Sequence, residues 1–288
     1  MTRAALFVLA GCGRIGFGAL PIDAATDAGE CPAPPATGVV EPNLIGGFVR
    51  GLWLSPDALS IVFTTDTSGG GRTTMLAHRP ALDMPFATAT AIPDFASLAT
   101  TRVAFSDDEL DAVMSLYDDT VLYETTRTST AQTWPAPTPV AFASPVGYHD
   151  ELAWLSPDGL VMYFDRAGAT VYDQNIYTTS RAHRGDAWSL PTMVAELSSP
   201  TTASFHPSLD AAQTTIWFAR ELESGTPAIK VFRATRADPS SSWSAPAPML
   251  LRGEPLNQAD PEPSRDDCEL VFASPPGETD GQWAVWSW

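Results

Sequence analysis

Short apolar runs recur along the chain, and each run directly follows a polar turn of the form Ser-x-Asp. The five turns with their apolar runs are Ser55–Phe63, Ser106–Met114, Ser156–Phe164, Ser208–Phe218 and Ser264–Phe272. Their serines are 51, 50, 52 and 56 residues apart, so the chain repeats with a nearly constant period. The runs are apolar at successive positions, which predicts strands that are buried on both faces.

In four copies the apolar run is followed by a further strand that ends in arginine: Arg79, Arg127, Arg181 and Arg236. A Trp-x-x-Pro-like turn and a last short strand come next, at Trp134, Trp188 and Trp243, with Met84 in the corresponding place of the first copy. With the strand before the turn, each copy predicts about four short strands. Four-stranded units at this period are typical of β-propeller blades, which are stable only between neighbouring blades.

The recurring charged residues are predicted to be structural, because a residue that every copy needs serves the fold, whereas a site breaks the symmetry. The turn aspartates are Asp57, Asp158, Asp210 and Asp266. An aspartate in such a turn bonds back to the backbone, and glycine in the last place tolerates positive φ. We expect the four arginines to reach a neighbouring blade or its turn carboxylates.

The copy Ser156-Pro157-Asp158-Gly159, followed by Leu160 to Phe164 and ending at Arg181, resembles the WD-repeat-like β-propeller repeat of the TolB type. The resemblance covers residues 38–288. It implies an all-β propeller, and TolB-type propellers usually have six blades. Since five copies can be counted, the sequence predicts a five-bladed propeller of four-stranded blades.

The last copy stops at Trp288, after its third strand, so its outer strand has to come from elsewhere. The segment that begins at Cys31 resembles the one that begins at Trp243, which predicts that the N-terminal strand completes the last blade and removes an exposed edge. In this alignment Cys31 and Cys268 stand where Trp and Leu stand in other copies. If those side chains touch, the two cysteines form a disulfide; the alternative is two unrelated buried thiols.

The start of the chain is typical of an export signal. A basic residue, Arg3, precedes an apolar run that ends in Leu9-Ala10-Gly11-Cys12, which resembles a bacterial lipobox. We expect a signal peptide over residues 1–11, lipidation of Cys12, and a flexible Ala/Pro-rich tether over residues 12–37. This predicts a lipoprotein of the cell envelope, anchored to the outer membrane and facing the periplasm or the cell surface. The alternatives are an ordinary buried N-terminal segment and a translation start other than Met1.

Composition and motifs argue against several classes of function. Hydrophobic residues make up 44% of the chain, enough for a core, and the net charge of −18 argues against nucleic acid as a partner. The sequence contains no zinc motif, P-loop, dinucleotide loop or Gly-x-Ser-x-Gly elbow, so we expect no catalytic residues, metal ligands or cofactor. Calcium in the acidic loops is left open. No oligomer signal is visible, and a monomer is expected.

Polar residues on the predicted innermost strands break the repeat symmetry and are the candidate ligand-facing residues of the channel. They are Arg50, Arg102, Glu151, His206, Asp260 and Glu262. A polar channel with aromatic walls suits a sugar, a peptide or a metal ion; the alternative is a channel that holds only water.

Three hypotheses for function remain at this point. The leading one is a non-catalytic envelope module that binds or scaffolds a protein or glycan partner. The second is a glycosidase, in which Asp150 or Glu151 would work with Asp260 or Glu262, two carboxyls flanking a sugar ring. Pairing of these acids with Arg50 and Arg102 would count against this second hypothesis. The third is a structural spacer.

Overall fold

The structure is a computed structural model that describes residues 39–40, 49–66, 71–117, 119–142, 147–168, 173–221, 229–251, 254–255, 259–265, 269–274 and 284–287. This part of the chain is all β apart from two three-residue 3-10 turns, Pro93–Phe95 and Ala195–Leu197. Neither turn is long enough to cross a membrane, and the described residues contain no other helix.

Four blades follow one another along the chain, and each is an antiparallel meander of four consecutive strands. Blade 1 comprises β2 (Val49–Leu54), β3 (Ser60–Asp66), β4 (Arg72–His78) and β5 (Thr90–Ala91). Blade 2 comprises β6 (Thr100–Phe105), β7 (Asp111–Leu116), β8 (Leu122–Thr126) and β9 (Thr138–Pro139). Blade 3 comprises β10 (His149–Leu155), β11 (Val161–Ala167), β12 (Gln174–Ser180) and β13 (Thr192–Met193). Blade 4 comprises β14 (Ser204–Leu209), β15 (Thr215–Glu221), β16 (Ile229–Thr235) and β17 (Ala247–Pro248).

The prediction of five blades is therefore wrong, and the count is corrected to four. In the described residues, the fifth sequence copy forms three strands rather than a four-stranded meander. It contributes instead to a sheet assembled from both ends of the described chain, which we call the closing sheet. Its strands are β20 (Ala259–Pro263), β21 (Leu270–Ser274), β22 (Ala284–Ser287) and, at the edge, β1 (Val39–Val40). In it Val39 lies opposite Ser287 and Val40 opposite Trp286, antiparallel. A short hairpin, β18 (Leu250–Leu251) with β19 (Glu254–Pro255), precedes the closing sheet.

Several sequence predictions fall outside the described residues. These are the signal peptide, Cys12, the tether, Cys31, Cys268 and Asp266. The structure therefore gives the lipoprotein tether no support.

Apolar side chains fill the spaces between adjacent blades, as the doubly buried strands require. One cluster joins the first three blades through Trp53, Phe105 and Phe164, all nearly inaccessible to solvent. Trp53 also donates its indole N–H to the Phe105 carbonyl of blade 2, at 3.2 Å. Burying such side chains contributes about 1.5–3 kcal/mol each, so contacts between blades stabilise the fold.

The turn contacts repeat from copy to copy. Ser55 donates to the Asp57 carboxylate at 2.6 Å and accepts from the Ser60 backbone N–H, and the Ser156–Asp158 turn is built in the same way. In the fourth copy the backbone pattern begins at Asp210, which donates to the Thr215 carbonyl as Ser55 donates to that of Ser60. Asp210 therefore stands at the serine position, and the fourth copy is shifted by two residues from the sequence alignment.

Each recurring arginine closes the turn of its own copy. Its Nε donates to the carbonyl of the turn residue with positive φ, at 2.7–2.9 Å; these residues are Ala58, Glu109, Gly159 and Gln213. The guanidinium also lies over an aromatic ring: Phe86, Trp134, Trp188 or Trp243. The ring of the first copy is Phe86, and Met84, which the alignment placed there, is exposed. Two of the arginines also pair with an acid of the adjacent sheet, Arg79 with Glu269 and Arg181 with Glu124.

Four innermost strands, β2, β10, β14 and β20, carry a β-bulge four residues before the turn begins, and β6 is irregular one residue earlier, at Thr101. The residues four positions before each turn form a ring around the channel, which we call the collar: Gly51, Arg102, Leu152, His206 and Asp260. All except Arg102 have positive φ, between 49° and 62°. A Cβ added to Gly51 would lie 2.3 Å from the Thr101 carbonyl oxygen and 2.8 Å from the Arg102 backbone, so a collar side chain is aimed at the next sheet.

We expect Gly51→Ala to lower the free energy of unfolding by at least about 2 kcal/mol, because it combines left-handed strain with a backbone clash. Gly147→Ala is the matched control: Gly147 also has positive φ, but nothing lies within 4 Å of its added Cβ. That variant should lose only about 1 kcal/mol. Urea unfolding of both variants measures the difference, and equal losses would show that the collar is not tightly packed.

Candidate functional site

The innermost strands run from the mouth of the central channel down to the turns at its opposite end. At the mouth, the first three blades enclose a cleft of about 380 Å³, which we call the mouth cleft. Its lining residues are Arg50, Arg72, Thr101, Leu116, Tyr117, Asp119, His149 and Glu151. Of the six predicted channel residues, Arg50 and Glu151 belong to this cleft, and the other four lie elsewhere.

An arginine and a tyrosine form one wall of the mouth cleft. The guanidinium carbon of Arg72 lies 3.7 Å from the centre of the Tyr117 ring. Arg72 is held in this position because it donates to the Thr101 hydroxyl at 2.8 Å and lies 3.4 Å from the Asp66 carboxylate. Tyr117 is 48% exposed, so much of its ring remains open to solvent. The arrangement is a preorganised, half-exposed aromatic surface backed by a cation.

The charges of the mouth cleft balance. Burial lowers the pKa of Arg50, and neighbouring Arg72 lowers it further. Three carboxylates oppose this shift: Asp260, Asp66 and Glu151. Among the lining residues, two arginines face two acids, Asp119 and Glu151. The cleft therefore offers strong hydrogen-bond donors and acceptors together without a large net charge.

Two further predicted residues, Arg102 and Glu262, form an ion pair inside the ring. Arg102 Nη2 lies 2.8 Å from Glu262 Oε2, and both side chains are 1% exposed. Arg102 also donates to the Pro207 carbonyl and to the Ser208 hydroxyl, and Ser208 donates to Glu262. The pair thus joins blade 2, blade 4 and the closing sheet across the channel.

The last two predicted residues, His206 and Asp260, touch as consecutive members of the collar. His206 Nδ1 lies 3.0 Å from the Asp260 carboxylate and 3.3 Å from the Asp260 backbone nitrogen. Although burial acts to raise it, the pKa of Asp260 is lowered by His206. On the other side, the His206 backbone N–H donates to Asp165 at 3.1 Å.

Asp165 is a buried acid that sequence reasoning did not single out as a channel residue. Its carboxylate accepts from Gln174 at 2.6 Å as well as from the His206 backbone. Burial raises its pKa to about 7, with the nearby Glu151 adding to the shift and His206 opposing it. Because Asp165 is fully buried and doubly hydrogen-bonded, it is not available to a ligand in the mouth cleft.

Asp150, the other acid named in the glycosidase hypothesis, pairs with Arg166 in the buried interior of blade 3; its Oδ2 accepts from Arg166 Nη2 at 3.0 Å. Within the described residues, no three His, Cys, Asp or Glu side chains are grouped so that they could hold a metal ion. Chemically, the site is a polar cleft with one aromatic wall above a channel interior that is filled by ion pairs.

Sequence reasoning missed Arg72, Thr101 and Tyr117. One signal for Arg72 is present in the sequence, since it begins β4 directly opposite Asp66 at the end of β3, an opposite-charge pair at the open end of a hairpin. Tyr117 carries no such signal. It lies just past a strand end, and only the closeness of blade 1 gives it a partner.

No protein-family model matches the sequence, and no curated protein matches it either. Solved structures do match. An α-L-arabinofuranosidase from Lactobacillus brevis aligns at a TM-score of 0.55 with 12% identity, covering 86% of this chain and 92% of that one. The catalytic domain of a GH62 α-L-arabinofuranosidase from Coprinopsis cinerea aligns at 0.54 with 9% identity, covering 88% and 97%. TolB from Acinetobacter baumannii aligns at 0.48 with 16% identity; the match covers 84% of this chain and 55% of TolB. At these identities the likeness concerns the fold alone, and the chain is an all-β propeller of four-stranded blades.

Proposed function

We propose that the protein is a non-catalytic binding module whose ligand occupies the mouth cleft. One observation carries the proposal: three of the four inner-strand acids named in the glycosidase hypothesis contact basic side chains and do not line the cleft. Glu262 pairs with Arg102, Asp150 with Arg166, and Asp260 with His206. Of these four acids only Glu151 lines the cleft, so the carboxyl pair of the glycosidase hypothesis is not formed there.

The second candidate function is hydrolysis of a glycoside. Two structures of similar fold are α-L-arabinofuranosidases, and Asp165 has the raised pKa that a general acid needs. Against this, Asp165 has no access to solvent and is held by two hydrogen bonds. A general acid has to reach the leaving oxygen directly or through one water. The binding hypothesis needs no rearrangement of these buried groups.

An activity assay separates the two candidates. With an aryl α-L-arabinofuranoside and with an arabinose-containing polysaccharide, we expect no hydrolysis above the rate without protein. Glu151→Gln should leave this background unchanged, since no catalytic step passes through Glu151. Turnover that disappears in Glu151→Gln or in Asp165→Asn would establish the enzyme and refute the binding module.

A thermal-shift screen tests the binding site itself. Sugars, amino acids, carboxylates and phosphate compounds at about 10 mM should include at least one that raises the unfolding midpoint, because a ligand of the folded state stabilises it. We expect the shift to vanish in Tyr117→Ala and to persist in Leu190→Ala, a matched exposed apolar side chain on blade 3 outside the cleft. A shift that is unaffected by Tyr117→Ala would place the ligand elsewhere.

A further inference from the structure

We infer that the ligand of the mouth cleft is a neutral saccharide; this inference rests on the proposed function and specifies its ligand. The charges of the cleft and of the chain favour a neutral ligand. The cleft lining carries two arginines and two acids, and the whole chain carries a net charge of −18. A phosphate or a polycarboxylate would meet the arginines but also the repulsion of Glu151, Asp119 and the remaining surface. A neutral ligand avoids this cost.

The hydrogen-bonding groups of the cleft lining favour a ligand that carries hydroxyls. A guanidinium only donates, and an ionised carboxylate only accepts, so a ligand that contacts both Arg50 and Glu151 accepts from one and donates to the other. A sugar hydroxyl does both, and adjacent hydroxyls on one ring serve two such groups at once. Asp119 offers fewer acceptor sites to a ligand, because its carboxylate already accepts from Tyr123 at 2.6 Å and from the Thr120 N–H.

The aromatic wall of the cleft favours a ligand with an apolar face. Tyr117 presents an apolar ring surface beside charged groups, and Arg72 and Thr101 hold that wall in place before any ligand arrives. The ring can cover the apolar C–H face of a sugar while the charged groups bind its hydroxyls. An inorganic anion would leave this surface unused.

The depth of the site limits the length of the ligand. Below the mouth cleft, the Arg102–Glu262 pair and the His206–Asp260 contact cross the channel, so a chain cannot thread through the ring. A volume of about 380 Å³ lies at the small end of ligand pockets. The cleft therefore fits a few sugar rings, approached from the open face.

Calorimetric titration of the full chain tests the ligand class. The probes are cellotriose and mannotriose as neutral sugars, trigalacturonate as an acidic sugar, and inorganic phosphate. We expect at least one neutral trisaccharide to bind with millimolar affinity or better, and its affinity to stay constant between about 20 and 500 mM salt because no net charge is neutralised. Tyr117→Ala should weaken it about tenfold, whereas Leu190→Ala should not change it.

The direction in which Glu151→Gln changes the affinity distinguishes a neutral ligand from an anionic one. For a neutral sugar, the substitution replaces a charge-assisted acceptor by a weaker one, and the affinity should fall about tenfold. For an anionic ligand, the same change removes repulsion and the affinity should rise. Tighter binding of trigalacturonate or phosphate that depends on Tyr117 would overturn the neutral-sugar inference while leaving the binding module intact. Absence of binding by all four probes would overturn the inference, and the broader thermal-shift screen then decides the proposed function separately.

Discussion

Arg102→Met is expected to lower the free energy of unfolding by about 3–5 kcal/mol, because it leaves a buried carboxylate without its cation. Glu262 is 1% exposed and lies 2.8 Å from the guanidinium that would be lost. Ser208 would remain as a hydrogen-bond donor, but a hydroxyl does not neutralise the charge. The loss should be visible as a large decrease in the urea midpoint, since blade 2, blade 4 and the closing sheet meet at this pair.

The double variant Arg102→Met/Glu262→Leu separates the cost of an unpaired charge from the value of the pair. Replacing a buried ion pair by apolar side chains is often neutral or stabilising, so we expect the double variant to be more stable than Arg102→Met. Asp186→Asn is the control. It weakens the contact between His183 and Asp186, which are both exposed, and should cost less than about 1 kcal/mol. If Arg102→Met costs no more than this control, the pair does not hold the ring together.

The repeat predicted the strands well because the signal is periodic and local. The Ser-x-Asp turn, the buried strand after it and the arginine that ends the next strand each correspond to a repeated hydrogen-bond pattern. The sequence also placed the N-terminal strand beside the C-terminal one, where Val40 pairs with Trp286. The blade count was wrong because counting sequence copies does not distinguish a complete meander from a copy that ends early.

In the fourth copy the Ser-x-Asp motif predicts the wrong register, because an aspartate oxygen can replace the serine oxygen of the turn. Ser208-Leu209-Asp210 fits the Ser-x-Asp pattern, but Asp210 performs the role of the turn serine by accepting from the Thr214 and Thr215 N–H groups. Ser208 is thereby free to bind Arg102 and Glu262 across the channel. An oxygen acceptor is all that the turn needs at that position, so residue identity alone could not set the register.

The candidate site was only half predictable for a different reason. Asymmetry along the inner strands pointed to polar residues, and Arg50 and Glu151 do line the mouth cleft. However, whether a polar residue faces a cleft or a buried partner depends on the adjacent blade. Arg102 and Glu262 are separated by 160 residues, and nothing local in the sequence indicates that they touch.

Stability is expected to fall as the pH rises from about 5 to 8, the reverse of what carboxylates in ordinary ion pairs produce. Glu109 and Asp165 have the raised pKa values that fall in this range, and burial also raises the pKa values of Asp107, Asp111 and Glu262. Burial raises the pKa of Glu109 to about 8, with Arg127 opposing the shift and Asp57 adding to it. Glu109 stands in the turn position that Gly159 occupies in blade 3, with a φ of 54°, and its side chain is directed into the fold.

Asp165 is the second acid, with its pKa raised from 3.8 to about 7 by burial beneath the mouth cleft. Glu151 and His206 are the charged groups that act on it, and Gln174 and the His206 backbone N–H donate to it. Like Glu109, it binds its proton more tightly in the folded state than in the unfolded chain. Both acids therefore contribute stability that is fully present below the unfolded pKa values and is lost as the pH rises through 7 and 8.

Each such proton contributes a slope of up to about 1.4 kcal/mol per pH unit between the unfolded and folded pKa values. The acids with lowered pKa values, such as Asp108 and Asp260, stay ionised over this range and do not offset the slope. Urea midpoints measured from pH 5 to 9 should therefore decrease, and Glu109→Gln and Asp165→Asn should each flatten the curve. Asp186→Asn, at an exposed site, should leave the slope unchanged. A midpoint that rises with pH in the parent protein, or a slope that is unchanged in the double variant Glu109→Gln/Asp165→Asn, would contradict the assignment of these two acids.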